Sequence, residues 1–430
     1  MSRPTRRPAD APTTLPVPPG LTIDGMIQDR YGGGDARDIF AKAYEFTLVE
    51  QARAVHLYPF FQPLDSNDGP EARIYGRRVL MLGSNNYLGL TRHPYVIEAA
   101  RRAISDYGTS MTGSRLLNGS THLHEELEGR IARFLEKEAA LVFTTGYQAN
   151  LGTISALVNR RSVAAVDKAD HASIYDGCQL ADGEMVRFRH NDAGHLDSIL
   201  ERVSQGKASL VVVDGVFSMG GDIADLPRIV EVCRRHEARL LVDDAHAIGV
   251  LGQGGRGTGS HFGLAEAVDL TIGTFSKSLA SIGGFVAGPR KVLEWIKHFG
   301  RAMMFSASLP PASTAAALAA LDVLEREPEM VERLTRLATL WREGVRQMGF
   351  DIGKSQTPIV PINLGDEYTT VVFWKQLLEH EVYTNPVIYP AVPIGKAILR
   401  TSCMAAHTQE QIEQALETFR IVGRKQGLIP

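Results

Sequence analysis

Lys277 sits in the stretch GTFSKSLASIGGF (273–285), flanked by Ser276 and Ser278 and followed by Gly283-Gly284. It has no acidic neighbour and no helical charge pattern around it. Small residues on both sides leave room for a partner at the amine. The lysine follows a short apolar run, TIGT, and other such runs also end in reactive residue types. LVFTT leads into Gly146-Tyr147-Gln148-Ala149-Asn150, and AAVD into Lys168-Ala169-Asp170-His171-Ala172-Ser173. VVVDG leads into Val216-Phe217-Ser218-Met219-Gly220-Gly221-Asp222. LLVD ends on Asp243 and continues as Asp244-Ala245-His246. If these runs are strands of one mostly parallel sheet, their carboxyl ends share an edge, where such sheets bind ligands. The five clusters then converge on one cleft.

Each cluster has a plainer reading. Gly146 serves an ordinary strand-to-helix turn, His171 a cap or a core, Lys277 a surface loop. Asp243 is harder to explain away, because a carboxylate at the end of an apolar strand is buried and needs a partner. The combination has a chemical use. An amine for a Schiff base, an acid for a pyridinium nitrogen and a helix N-terminus for a phosphate are what pyridoxal 5'-phosphate (PLP) requires. An amine in an apolar or cationic pocket is also kept partly neutral, as a nucleophile requires.

The elements that position these residues are legible as patterns. AALVFTT, SVAAVD, SLVVVDG, RLLVDD, LTIGT and GFVAG are near-continuously apolar, as strands buried on both faces are. Helical stretches between them make βαβ units. The fold class is therefore α/β. A large, mostly parallel-sheet α/β/α domain is expected over 76–310. A helical segment over 21–75, including DIFAKAYEFTLVEQARAV, precedes it. A proline-rich arm over 1–20 reads as disordered. A smaller α+β domain over 311–430 follows and contains the amphipathic helix EMVERLTRLATLWREGVRQM.

Composition narrows the function. A chain of 430 residues exceeds what one core usually holds. It is 44% hydrophobic and 22% charged, ordinary for a globular protein. A net charge of -3 gives no reason to expect nucleic acid. Cys178, Cys233 and Cys403 lack CxxC spacing and fit reduced thiols in a cytoplasmic protein. No metal constellation appears. No uncharged apolar run reaches the ~18 residues of a membrane helix, and the arm lacks the apolar core of a secretory signal.

The chain resembles the α-oxoamine synthases, fold-type I PLP enzymes that join an amino acid to an acyl-CoA with loss of carbon dioxide. GSNNYLGL (83–90), TGSRLLNGSTHLHEELE (112–128), TTGYQANLG (144–152) and DHASIYDG (170–177) bear the resemblance. So do VFSMGGDIADL (216–226), VDDAHAIGVLGQGGRG (242–257), GTFSKS (273–278), FSASLPP (305–311) and LRTSCMAAHT (399–408). The resemblance implies Lys277 as the Schiff-base lysine and Asp243 as the acid on the pyridine nitrogen. It implies His246 at the cofactor's phenolic oxygen, His171 stacked over the ring, Ala245 on the opposite face and Ser218 near the cofactor oxygen. Gly146, Tyr147, Thr274 and Ser276 match phosphate contacts, with Ser306 reaching the phosphate from a second subunit. Arg400 matches the residue that recognises the substrate carboxylate, and Asn86 a residue at the substrate mouth, contributed by the partner. A homodimer with shared active sites is implied.

Within the family, GTFSKS, HASIYDGCQ and VRFRHND resemble the soluble bacterial serine palmitoyltransferases, which join L-serine to a long-chain acyl-CoA. The relatives usually have glycine where this chain has Ser276. YTNPVIYPAVPIGKAILRTSCMAAHT (383–408) resembles the glycine-using 2-amino-3-ketobutyrate CoA ligases at least as well. The 8-amino-7-oxononanoate synthases are a further alternative. A non-catalytic partner subunit would be expected to lack the lysine.

Overall fold

The computed structural model describes residues 37–204 and 206–430. The expected arm over 1–20, and the helical segment as far as residue 36, lie outside the described residues. The centre of the fold is a seven-stranded sheet of β1 (Ala139–Phe143), β2 (Ser162–Asp167), β3 (Glu184–Phe188), β4 (Ala208–Asp214), β5 (Arg239–Asp243), β6 (Leu270–Thr274) and β7 (Gly284–Gly288). The spatial order is β1-β7-β6-β5-β4-β2-β3. β2 pairs parallel with β3 and β4, as do β4 with β5 and β5 with β6. β7 runs antiparallel to both β1 and β6.

The apolar runs follow from two-sided burial. In β4, Val211 and Val213 pack into a layer with the helices Ala193–Val203 and Leu226–Arg235. Leu210 and Val212 pack into the opposite layer, with Gly146–Leu157 and Arg290–Phe299. Side chains alternate faces along a strand, so both sets must be apolar. β3 is the exception. It lies at the sheet edge, only Phe188 of its five residues is buried, and the apolar-run criterion therefore passed over it.

Residues 311–430 contain a second, antiparallel sheet of β8 (Ile359–Gly365), β9 (Asn385–Val387) and β10 (Ala397–Ser402), with β10 central. The helices Glu329–Gln347, Glu367–Glu379 and Gln409–Lys425 belong to the same part of the chain. Trp341 is fully buried against Phe419, ring centroids 4.9 Å apart and edge to face. Its indole N–H donates to Thr401 Oγ1 at 2.8 Å.

The helical reading of 21–75 needs correction. Among the described residues only Ala41–Tyr44 and Leu48–Ala54 are α-helical there. Glu71–Ile74 and Arg77–Met81 form an antiparallel hairpin. Its two-residue turn is Tyr75-Gly76, both at positive φ (51° and 76°), the twist that two-residue hairpins favour. The expected boundary at 75/76 cuts through this turn. Val382–Tyr383 extends the hairpin sheet in parallel with Arg77–Met81, so the hairpin is tied to the C-terminal part of the chain. Among the described residues no helix is long and apolar enough to cross a membrane.

The Trp341 contacts predict a stability effect. Trp341→Ala should destabilise the fold by about 3–5 kcal/mol, read as a lower urea midpoint. Trp341→Phe, which keeps one aromatic ring against Phe419 but loses the pyrrole ring's volume and the hydrogen bond to Thr401, should cost less than Trp341→Ala.

Candidate active site

Strand register brings the reactive groups together. β4 and β5 are in register at Asp214 and Asp243, so two carboxyl groups end adjacent strands. Both are buried, 3% and 5% exposed. Asp243 accepts from Asn150 Nδ2 at 2.6 Å and from the Ala245 N–H at 3.0 Å. Asn150 lies one turn into the helix Gly146–Leu157 and also donates to Ser173 Oγ at 3.0 Å. Asp214 is pushed well above the ordinary carboxyl range by burial first and by Asp243 second.

These groups line one cavity of about 310 Å³. Of the expected residues, Gly146, Tyr147, His171, Asp243, Ala245, His246, Thr274, Ser276 and Lys277 all line it. Burial lowers the Lys277 ammonium to about 8, against Asp243 and Asp214, which favour the charge; Arg400 lowers it further. His171 caps its helix and accepts the Ser173 N–H on Nδ1 at 3.3 Å. Its pKa is lowered by desolvation and by Lys277, partly offset by Asp243. His246 Nδ1 is 2.7 Å from the Tyr87 hydroxyl. Burial, then Lys277 and Arg400, hold His246 well below its ordinary value, so the ring is neutral. The Tyr87 hydroxyl has two acceptors in reach, His246 Nδ1 and Asn85 Oδ1 at 3.2 Å; where it donates to His246, the imidazole proton resides on Nε2.

The opposite end of the cavity suits an anion. Thr145 Oγ1 accepts the Gln148 N–H at 3.1 Å, leaving the Gly146 and Tyr147 amides without intrahelical partners. A Cβ on Gly146 would lie 2.9 Å from Thr274 Cβ, and one on Gly284 only 2.5 Å from Gly146 Cα. Glycine at both positions lets the helix N-terminus approach β6 and β7. The Thr274 and Ser276 hydroxyls, 2.8 Å apart, lie beside it. Tyr147 is tied to Asp176 through its hydroxyl, and its ring meets the His171 ring edge to face at 6.1 Å.

Four expected residues stand outside this lining. Arg400, on β10, is 5% exposed and donates from Nε to the Ser218 carbonyl at 2.7 Å and from Nη2 to the Tyr87 hydroxyl at 3.5 Å. Ser218 thus contributes its backbone oxygen to Arg400. Ser306 Oγ accepts from Gln148 Nε2 of the same chain at 2.9 Å. Asn86 lines a second cavity of about 560 Å³, together with Ser276 and Lys277 of its own chain. Its Oδ1 is buried without a partner.

The comparisons follow this geometry. The family model for aminotransferase class I and II matches residues 77–419. The serine palmitoyltransferase of Sphingobacterium spiritivorum is 46% identical over 86% of this chain and 93% of its own. The 8-amino-7-oxononanoate synthase of Thermoanaerobacter pseudethanolicus is 41% identical over 89% of this chain and 97% of its own. A solved serine palmitoyltransferase from S. paucimobilis, with a bound PLP–myriocin aldimine, superposes with a TM-score of 0.89 at 38% identity, covering 91% of this chain and 100% of that one. This chain belongs to the α-oxoamine synthases of aminotransferase class I and II. It is a PLP-dependent acyltransferase of fold type I, and the residues present fit that cofactor: an amine, a fixed carboxylate and an anion-binding helix terminus in one cavity.

Sequence reasoning gave no role to Asp214, Asn150, Ser173 or Tyr87, although Asn150 and Ser173 lie in the clusters it brought to the cleft. Asp214 had a usable signal, since it ends VVVD as Asp243 ends LLVD.

The lysine environment predicts a pH response. In cofactor-free protein, amine modification of Lys277 should accelerate as pH rises through about 8. Asp243→Asn should lower that midpoint, because the carboxylate favours the ammonium. Peptide mass spectrometry of the labelled protein measures both; an unshifted midpoint would count against this electrostatic coupling.

Proposed function

We propose that the protein condenses L-serine with a long-chain acyl-CoA, releasing CoA and carbon dioxide and giving 3-ketosphinganine. The observation that carries this reading is the 46% identity to a serine palmitoyltransferase over 86% of the chain. Ser276 before the lysine and the segments HASIYDGCQ and VRFRHND support it. The second reading, favoured by 41% identity to an 8-amino-7-oxononanoate synthase, is condensation of alanine with pimeloyl-CoA.

Bound PLP supplies an electron sink for a carbanion formed beside the amino nitrogen. We assign Asp243, His171, Ala245, His246 and Lys277 to its ring, with Ser218 nearby. Gly146, Tyr147, Thr274 and Ser276 are assigned to its phosphate, with Ser306 reaching across from the partner subunit. Asp243, fixed by two N–H donors, presents a carboxylate to the ring nitrogen. The neutral His246 offers its Nε2 proton to the phenolic oxygen. Arg400 is assigned to the amino-acid carboxylate. Its Nε is engaged by Ser218 and one Nη2 N–H by Tyr87, leaving Nη1 and the second Nη2 N–H for a forked contact that lysine could not make. Lys277, near half-neutral at about pH 8, removes the proton from the amino acid's Cα and returns one after carbon dioxide leaves. A pKa close to the working pH suits that exchange. Closing the cavity against water protects the carbanion from stray protonation. A homodimer that completes each site from the neighbour, including Asn86, belongs to the same proposal.

Mass spectrometry of products from serine, glycine and alanine, each with several acyl-CoA lengths, tests the substrates. Serine with a long chain should dominate; dominance of glycine with acetyl-CoA, or of alanine with pimeloyl-CoA, replaces this reading. Lys277→Ala should abolish turnover while leaving the fold intact, and Asp243→Asn should lower the rate on the order of 10²-fold or more. Mixing Lys277→Ala with an inactive Asn86 variant should restore activity in hybrid dimers. A fully active monomer would exclude shared sites.

A further inference from the structure

The segment RHND (189–192), which follows the edge strand β3, has no place in the site as described, yet its histidine is held unusually firmly. His190 Nδ1 is 3.0 Å from Asp167 Oδ1, at the end of β2, and Nε2 is 3.0 Å from Asp222 Oδ2, in the loop after β4. Asp167 is fully buried. Both ring nitrogens therefore face carboxylates, and both are satisfied only as N–H donors. Burial opposes the charge, but the two hydrogen bonds and the two carboxylates carry His190 up to about 9. The Phe217 ring stands at 90° to the imidazole, centroids 4.4 Å apart.

The next residue extends the grip. Asn191, at φ 53°, donates from its backbone N–H to Asp167 Oδ2 at 2.6 Å and from Nδ2 to the Ile223 carbonyl at 2.9 Å. Its Oδ1 accepts the Asp225 N–H at 2.7 Å. The gripped loop is itself a closed turn. The Phe217 N–H donates to the Asp222 carbonyl at 3.0 Å, and the Gly221 N–H to the Phe217 carbonyl at 2.9 Å. Two of its carbonyls face the C-terminal part of the chain. Gly221 O accepts from the Gln356 N–H at 3.0 Å and from Thr357 Oγ1 at 2.9 Å. Ser218 O accepts from Arg400 Nε at 2.7 Å.

We propose that His190 is a positioning residue: by bridging Asp167 and Asp222 it fixes the 217–222 turn, and through the Ser218 carbonyl it sets the guanidinium of Arg400 for the amino-acid carboxylate. The proposal rests on the assignment of Arg400 made above. It separates two jobs in one loop: the sheet side holds the turn by charge, and the turn aims a cation on β10 of the C-terminal part of the chain. Without the imidazolium, Asp167 and Asp222 face each other unscreened, and the turn carrying Ser218 moves away from β2. Arg400 then loses the acceptor that fixes its Nε.

The test uses the PLP-loaded enzyme with His190→Leu, His190→Gln, Asp222→Asn and Arg400→Lys. His190→Leu should raise the amino-acid KM on the order of tenfold, with the acyl-CoA KM unchanged and kcat changed less. Amide hydrogen exchange in 217–225 should accelerate in the same variant. His190→Gln, which keeps one N–H donor, should recover part of the loss. Asp222→Asn, which folds without an unpaired carboxylate at that position, should show the same KM split more mildly. A merely structural role would lower thermal stability and leave the amino-acid KM of the folded fraction untouched. If Arg400→Lys raises that KM and neither His190→Leu nor Asp222→Asn does, the clamp is overturned while Arg400 stands. If none of the three moves it, the Arg400 assignment falls, and the clamp's role in positioning it falls too.

Discussion

Asp243 is a carboxylate kept at the centre of a sheet, and most of the surrounding structure answers to that. Its neighbour in the register, Asp214, ends the next strand. Asp243 receives the Asn150 amide and the Ala245 N–H. Asp214, shielded from water and facing Asp243, is displaced upward, with Lys277 and the His171 backbone N–H pulling the other way. Both carboxyls favour the Lys277 ammonium, whose pKa burial lowers. The helix Gly146–Leu157 serves both ends of this arrangement. Its first turn offers free amides to an anion, and Asn150, one turn on, holds the acid.

Much of this was legible in the sequence, for an identifiable reason. Strands buried on both faces must be apolar along their length, so where each run ends and polar types begin, the sheet edge is announced. That logic located Gly146, His171, Ser218, Asp243, His246 and Lys277 together. It passed over β3 because an edge strand with one covered side need not be apolar. It passed over the Tyr75-Gly76 hairpin because a boundary placed at the turn hid the pairing of its arms. Asn150 and Tyr87 escaped because their importance lies in what they touch, Asp243 and His246, and a single chain read linearly does not display contacts 93 and 159 residues apart.

Arg400 shows the complementary constraint. It lies on β10, in a sheet that shares no strand with the seven-stranded one, yet its guanidinium reaches Ser218, in the loop after β4, as well as Tyr87, whose carbonyl accepts the Ala405 N–H. Tyr87 in turn touches His246 at 2.7 Å. One phenol therefore links a group assigned to the cofactor with a group assigned to the substrate. It is fully buried, and burial raises its pKa against the opposing pull of Arg400. A neutral tyrosine can accept from the guanidinium and donate to the imidazole at once; an ionised one could only accept. Desolvation here keeps the phenol able to donate, to His246 or to Asn85, while it accepts from Arg400.

The same reasoning separates family membership from substrate choice. Ser276, taken in the sequence reading as a mark of the serine-using branch, makes contacts within the lysine loop. Its hydroxyl meets Thr274 Oγ1 at 2.8 Å, and its N–H donates to the same oxygen at 3.3 Å, beside the helix terminus suited to an anion. A glycine there would keep the backbone contact and lose the hydroxyl, which alters anion binding before it alters amino-acid recognition. The residue proposed to sense the amino acid is Arg400, on β10 rather than in the lysine loop. The weight of the serine reading therefore rests on similarity over 86% of the chain, and the lysine loop supports the branch without specifying the side chain it accepts.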